Sequence, residues 1–262
     1  MTANDIDTRE LYEGVREASV AWMALFGVLV GVASLVPIFP YVGGGGYVPL
    51  LVPLAAIAPL LLGPAVGITA AVIGAMIGLF IAPAAFPLGL LDVLVTGISP
   101  ALLVALAVNN DRYWRFTVAI YAVLAAFCFL FPFYIPGALA GFAQPPEPLH
   151  LLLGSLYWLI PLVVVATRFG REVVPNWVRS KDRKQKYFGI FISIFCGLLM
   201  WWILWTRPYW YLFRYPATLG IATFISYSWW VPTLSLITTA ITIPILEALE
   251  RSDLARVQRA LW

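Results

Sequence analysis

The stretch "PLLVPLAAIAPLLLGPAVGITAAVIGAMIGLFIAP", residues 49–83, carries no charged residue and is punctuated in its middle by Gly63 and Pro64. An apolar run of about 20 residues crosses roughly 30 Å of hydrocarbon as a helix, and this stretch holds nearly two such runs back to back. A Gly-Pro pair ends one helix and starts another, so the stretch reads as a helical hairpin with spans near 48–63 and 65–82. Transmembrane β-strands would show ten-residue segments of alternating polarity, and none occurs here.

The rest of the chain repeats the pattern. Of its 262 residues 62% are hydrophobic and 11% charged, far from soluble usage, and the reading is an all-α integral membrane protein. Further spans lie near 18–37, 88–108, 116–135, 149–167, 188–206 and 229–248, giving eight in a compact bundle. They divide the chain into an N-terminal segment, 1–17, a polytopic membrane domain, 18–248, and a C-terminal helix, 249–262, with its apolar side on the membrane surface. The N-terminus has no basic n-region or cleavage site, so the first span reads as retained. The apolar segment before Trp230 reads as an interfacial piece, with Pro232 marking a bend.

Charge sets the direction. With eight spans and both termini cytoplasmic, fourteen of the sixteen Lys and Arg residues fall on the inner side and only Arg207 and Arg214 outside. The expected location is a cell membrane, with the "GGGG" loop (43–46), "APAAFP" (82–87) and "QPPEP" (144–148) on the outer face. The net charge of +3 follows from this bias and does not point to nucleic acid; membrane lipids are the expected neighbours. Cys128 and Cys196 sit mid-span and read as buried, inert thiols.

Small residues recur on one face of two spans. Gly63, Gly67, Ala71, Gly74 and Gly78 share a helix face in the third, and Ala24, Gly27, Gly31 and Ser34 do so in the first. Such faces let backbones approach closely, either within the bundle or against a partner.

The order of these features, a first span ending in a Pro- and Gly-containing outer loop, then residues 49–83, then "GLLDVLVTGISPALLVALAV" (89–108), resembles the substrate-binding S components of energy-coupling factor vitamin transporters. The G-P-x-x-G turn at Gly63, Pro64 and Gly67 carries most of the likeness, which covers residues 18–108. The resemblance implies a bundle that captures a small vitamin-like substrate at the outer face and delivers it with a transmembrane coupling subunit and ATPases. That family usually has six spans, so either hairpin of the second half would be additional. Its A-x-x-x-A contact motif is replaced here by Ala18, Ala21 and Ala24 at intervals of three. Independently, the chain has no G-x-x-x-x-G-K-[ST] phosphate loop, so P-loop ATP binding is not expected of it.

Apart from Glu247 at the inner end of the last span, Asp92 is the only acidic residue within a span, about 8 Å below the helix start after Pro87 at 1.5 Å per residue. Gly89, Thr96 and Ser99 share its face, and no Lys or Arg is read inside any span to pair with it. A lipid-facing carboxylate costs at least about 3 kcal/mol, so Asp92 must meet a cavity or a partner. Two roles fit: a contact for a cationic or donor group of a ligand, with Thr96 and Ser99 beside it, or a helix cap or fastener, through Tyr41 or Tyr47 or at the interface. His150, the only histidine, follows Glu147 at the outer side. With Tyr41, Tyr47, Tyr134, Tyr157 and Trp158 it completes the candidate substrate-contacting set, although most outer aromatics suit an interfacial belt. No metal site or cofactor is expected, and no catalytic pair or H-E-x-x-H appears, so the chain does not read as an enzyme. Beside the capture subunit stand two further readings: a structural subunit of a larger membrane complex, and a proton-coupled carrier using Asp92.

Overall fold

A computed structural model describes residues 19–41, 45–131, 157, 159–213, 226–227, 229–252, 254, 256–257 and 259–262. Among the described residues, five helices are long and apolar enough to cross a membrane: α3 (Pro64–Ile81), α4 (Leu90–Val108), α5 (Asn110–Leu130), α8 (Arg183–Leu212) and α9 (Trp230–Glu250). The shorter helices are α1 (Ser19–Leu35), α2 (Leu51–Leu62), α6 (159–166) and α7 (Val174–Val178).

The expectation of a full span over 48–63 is corrected. Pro37–Pro40 (β1) pairs antiparallel with Tyr47–Pro49 (β2), and only the twelve residues of α2 follow. At 1.5 Å per residue α2 reaches about 18 Å, short of the hydrocarbon thickness. Prolines at 37, 40 and 49 withhold the N–H groups a helix needs, and the glycine loop lets the chain reverse, so an apolar run that reads as helix is extended instead. The all-helical expectation therefore gains one two-stranded hairpin.

Every residue of α2 except Leu54 is buried, and α3, α4, α8 and α9 surround it. Its break from α3 has a definite physical form. Gly63 adopts φ 73°, which favours glycine, and Pro64 opens α3, where a missing N–H costs nothing. Pro64 cannot return a hydrogen bond to the Leu60 carbonyl. Residues 257–262 supply the missing donors: Leu261 N donates to Leu60 O at 3.0 Å and Trp262 Nε1 to Leu61 O at 2.6 Å. Within a membrane unpaired carbonyls would be costly, so this segment completes the hairpin. The expected helix over 249–262 is corrected accordingly: α9 ends at Glu250, no residue described beyond it is helical, and Val257 and Trp262 are buried.

The small-residue faces of α1 and α3 pack on each other. A Cβ on Gly31 would lie 2.7 Å from Ile77 Cβ, and one on Gly74 would lie 2.4 Å from Val30 Cγ1. Gly27 meets Ile73, Gly78 meets Ser34 and Phe86, and Gly67 faces the α2 backbone at Ala58 and Pro59. Ala24, by contrast, is exposed. Leu25, Leu29, Phe80, Leu90 and Val123 are exposed, as large apolar side chains on a lipid-facing surface would be.

Two further helix boundaries are defined. Pro232 lies in the first turn of α9, which begins at Trp230, and most of the interfacial piece expected before it lies outside the described residues. The helix α8 runs on to Leu212 and so includes Arg207, which hydrogen-bonds Cys128 and lies 5.6 Å over the Trp210 ring. At thirty residues α8 is longer than one crossing needs, and Arg207 lies in its last two turns. Both cysteines are free and buried, as their apolar neighbours imply.

Candidate functional site

The helix α4 is not uniform. Its second turn, Val93–Ile98, is π-helical, with Ser99 N donating to Leu94 O. In that register the Val95 carbonyl would take its bond from residue 100, which is Pro100 and has no N–H. Two side chains fill the vacancy: Ser99 Oγ donates to Val95 O at 2.6 Å, and Trp201 Nε1 of α8 donates to it at 2.7 Å. The proline thereby ties α4 to α8 just below Asp92.

Asp92 is fully buried. Its carboxylate accepts three hydrogen bonds: Leu88 N to Oδ2 at 2.6 Å, Thr96 Oγ1 to Oδ1 at 3.1 Å, and Tyr209 OH to Oδ1 at 2.5 Å. Gly89, at φ 62°, precedes the first helical residue and turns the chain so that Leu88 N faces the carboxylate. Asp92 therefore sits in the first turn of its own helix, where the exposed N–H groups and the helix dipole favour a negative group.

The network continues outward. Tyr209 spends its proton on Asp92, so at the 3.2 Å contact between the two hydroxyls Tyr41 is the donor and Tyr209 the acceptor. Tyr41 OH also lies 3.4 Å from Ala85 O. Burial pushes the Tyr41 hydroxyl above its ordinary value, which keeps it a donor across the neutral range. Tyr47 does not join; its hydroxyl donates to Ser34 O at 2.9 Å. Tyr157 is buried in the core, and Tyr134, His150 and Trp158 lie outside the described residues.

Aromatic rings wall this end of the bundle. Tyr41 packs on Trp205 at 5.0 Å between centroids, Trp205 on Tyr209 at 4.8 Å, and Phe39 stacks on Trp230 at 4.9 Å. The β-hairpin positions Phe39 and Tyr41 against α8 and α9. Among the described residues, the buried indole N–H groups of Trp205 and Trp230 have no hydrogen-bond partner. Unpaired buried donors are uncommon and costly, and each offers a bond to an arriving acceptor.

Of the sequence candidates, the fold brings together Asp92, Thr96 and Tyr41, with Ser99 one turn below. Tyr209 and Trp205 belong to no site that sequence reasoning assigns. Tyr209 is visible there only as one of many aromatics near a helix end, and nothing in its local sequence marks it as the partner of a residue 117 positions earlier. No family model, curated protein or solved structure matches the chain.

Proposed function

We propose that the chain is the ligand-capturing subunit of a membrane transporter, taking a small, planar, vitamin-like molecule at the end of the bundle that carries Asp92 and the β-hairpin. In this reading that end faces outward in the cell membrane, both termini are cytoplasmic, and a coupling subunit with ATPases supplies the energy. The observation that carries the reading is the Asp92–Tyr209–Tyr41 hydrogen-bond chain beside the unpartnered Trp205 indole. A carboxylate buried in a membrane bundle among neutral donors marks a ligand or ion pathway by default. A ligand donor would displace Tyr209 from Asp92, a ligand acceptor would take the Trp205 N–H, and the rings of Trp205 and Tyr41 would stack on its plane.

The hydroxyl chain also favours a second reading, a proton-coupled carrier, because Asp92, Tyr209 and Tyr41 form a relay for a proton. The structural-subunit reading has less to rest on, since Gly27, Gly31, Gly74 and Gly78 are occupied by packing within the chain.

The test is mass spectrometry of small molecules that copurify with the chain from its native membrane. Wild type is expected to carry a conjugated, planar compound, depleted about tenfold or more in Trp205→Phe and Asp92→Asn, each of which removes one polar contact. Equal retention by both variants would overturn the assignment. Transport driven by a pH gradient in vesicles containing this chain alone would favour the carrier.

A further inference from the structure

The opposite end of the molecule holds a cavity of about 790 Å³, within the range of organic-ligand sites. It is remote from Asp92 and independent of the reading above. Four separate stretches converge on it: the start of α5, the α7–α8 connection, the end of α9, and Arg256 with residues 259–261. Its floor is apolar, built from Pro59, Val108 and Val178. Its walls carry seven Lys or Arg side chains against three carboxylates.

Each carboxylate is already committed. Asp111 pairs with Arg179 at 3.1 Å, Glu247 with Arg183 at 2.9 Å, and Glu250 with Lys186. That leaves Arg112, Lys181, Arg256 and Arg259, for which the described residues offer no acidic partner. Orientation in a membrane requires positive charge on a loop; it does not require seven Lys or Arg side chains around one cavity, four of them without an acidic partner among the described residues.

Arg259 adds an independent sign. It is the only non-glycine residue among those described with a positive φ, at 67°. The strained backbone is held in place by the Leu261–Leu60 and Trp262–Leu61 hydrogen bonds, and residue 259 lines the cavity. Strain of this kind persists where surrounding structure enforces it, and it clusters at ligand sites.

We propose that this basin binds a ligand carrying two or more phosphate groups. Three of the four uncommitted cations are arginines, whose planar forks match phosphate oxygens in pairs. Among the described lining residues seven positive charges face three negative ones, a surplus that suits phosphomonoesters at roughly −1.5 to −2 each. The apolar floor accommodates whatever the phosphates are attached to. Either a soluble polyphosphate or a diphosphate lipid headgroup presents this chemistry.

The full chain in zwitterionic nanodiscs is titrated calorimetrically with inorganic tripolyphosphate, with sulfate at matched ionic strength as the reference. In a second arm, native mass spectrometry follows retention of a diphosphate lipid against a zwitterionic one. Saturable binding in either arm is expected, weakened roughly tenfold or more by Arg112→Gln with Arg256→Gln, neither of which breaks an ion pair seen here. Tripolyphosphate binding alone identifies a soluble ligand, and lipid retention alone a headgroup; both support the proposal. It is overturned if wild type binds tripolyphosphate no better than sulfate and shows no preference for the diphosphate lipid. It is equally overturned if the double variant binds as wild type does. Should that variant not fold, the wild-type comparisons decide alone.

Discussion

Replacing Asp92 tests whether its carboxylate acts through three specific hydrogen bonds. In Asp92→Ala the Leu88 N–H loses its acceptor, and Tyr209 and Thr96 lose a charged one. Thr96 can turn to its own helix and Tyr209 can donate to Tyr41, so the main residual cost is the orphaned N–H and the lost charge-assisted bonds, about 2–4 kcal/mol. Asp92→Asn behaves differently. With its amide oxygen on the Leu88 side, its NH2 group meets the hydroxyl oxygens of Tyr209 and Thr96, both of which can accept. The relay then reverses: Tyr209 donates to Tyr41, and Tyr41 to Ala85 O, already 3.4 Å away. All groups stay paired, so the cost should be no more than about 1 kcal/mol. Tyr209→Phe removes one donor to the carboxylate and should cost about 1.5–3 kcal/mol. Reversible unfolding in mixed micelles, with the denaturing-detergent midpoint read by circular dichroism, measures all three. An alanine variant as stable as the asparagine variant would refute the network as a fastener; an asparagine variant as unstable as alanine would refute the reversal.

The closure of the α2–α3 break predicts that Trp262→Phe, which keeps an aromatic ring but loses the N–H bonded to Leu61 O, costs about 1–2 kcal/mol, whereas Trp262→Ala costs about 3–5 kcal/mol in the same unfolding assay. Equal stability of the Trp262→Phe variant and the wild-type protein would show that the carbonyl needs no donor. Orientation is checked by cysteine labelling of intact cells. Exposed positions at the two ends, Ala84→Cys and Lys184→Cys, should react from outside and from inside respectively, over a low background because Cys128 and Cys196 are buried. Reversed labelling would place the Asp92 end in the cytoplasm and remove the proposed route of capture.

Local composition is enough to show the class of this protein and the places where its helices break. Helix-length apolar runs without charge, such as 64–81, have no solvent but hydrocarbon or protein, so they become spans wherever they lie. Gly63 with Pro64 ends a helix from local backbone chemistry alone, and the small-residue spacing of Gly27, Gly31, Gly74 and Gly78 marks a close contact before its partner is known. The singular position of Asp92 in the next run, 90–108, is equally plain. What the sequence did not contain was the partner of each feature. That Pro100 would draw an indole from α8, that Tyr209 would satisfy Asp92, and that residues 261 and 262 would complete a helix end some 200 positions away depend on which helices become neighbours. The short α2 shows the same division: apolarity marks residues 48–63 as shielded from water, but only the packed bundle decides that α3, α4, α8 and α9 bury a helix too short to span. Hydrophobicity selects a solvent one residue at a time, whereas hydrogen-bond satisfaction in that solvent is a property of the packed bundle.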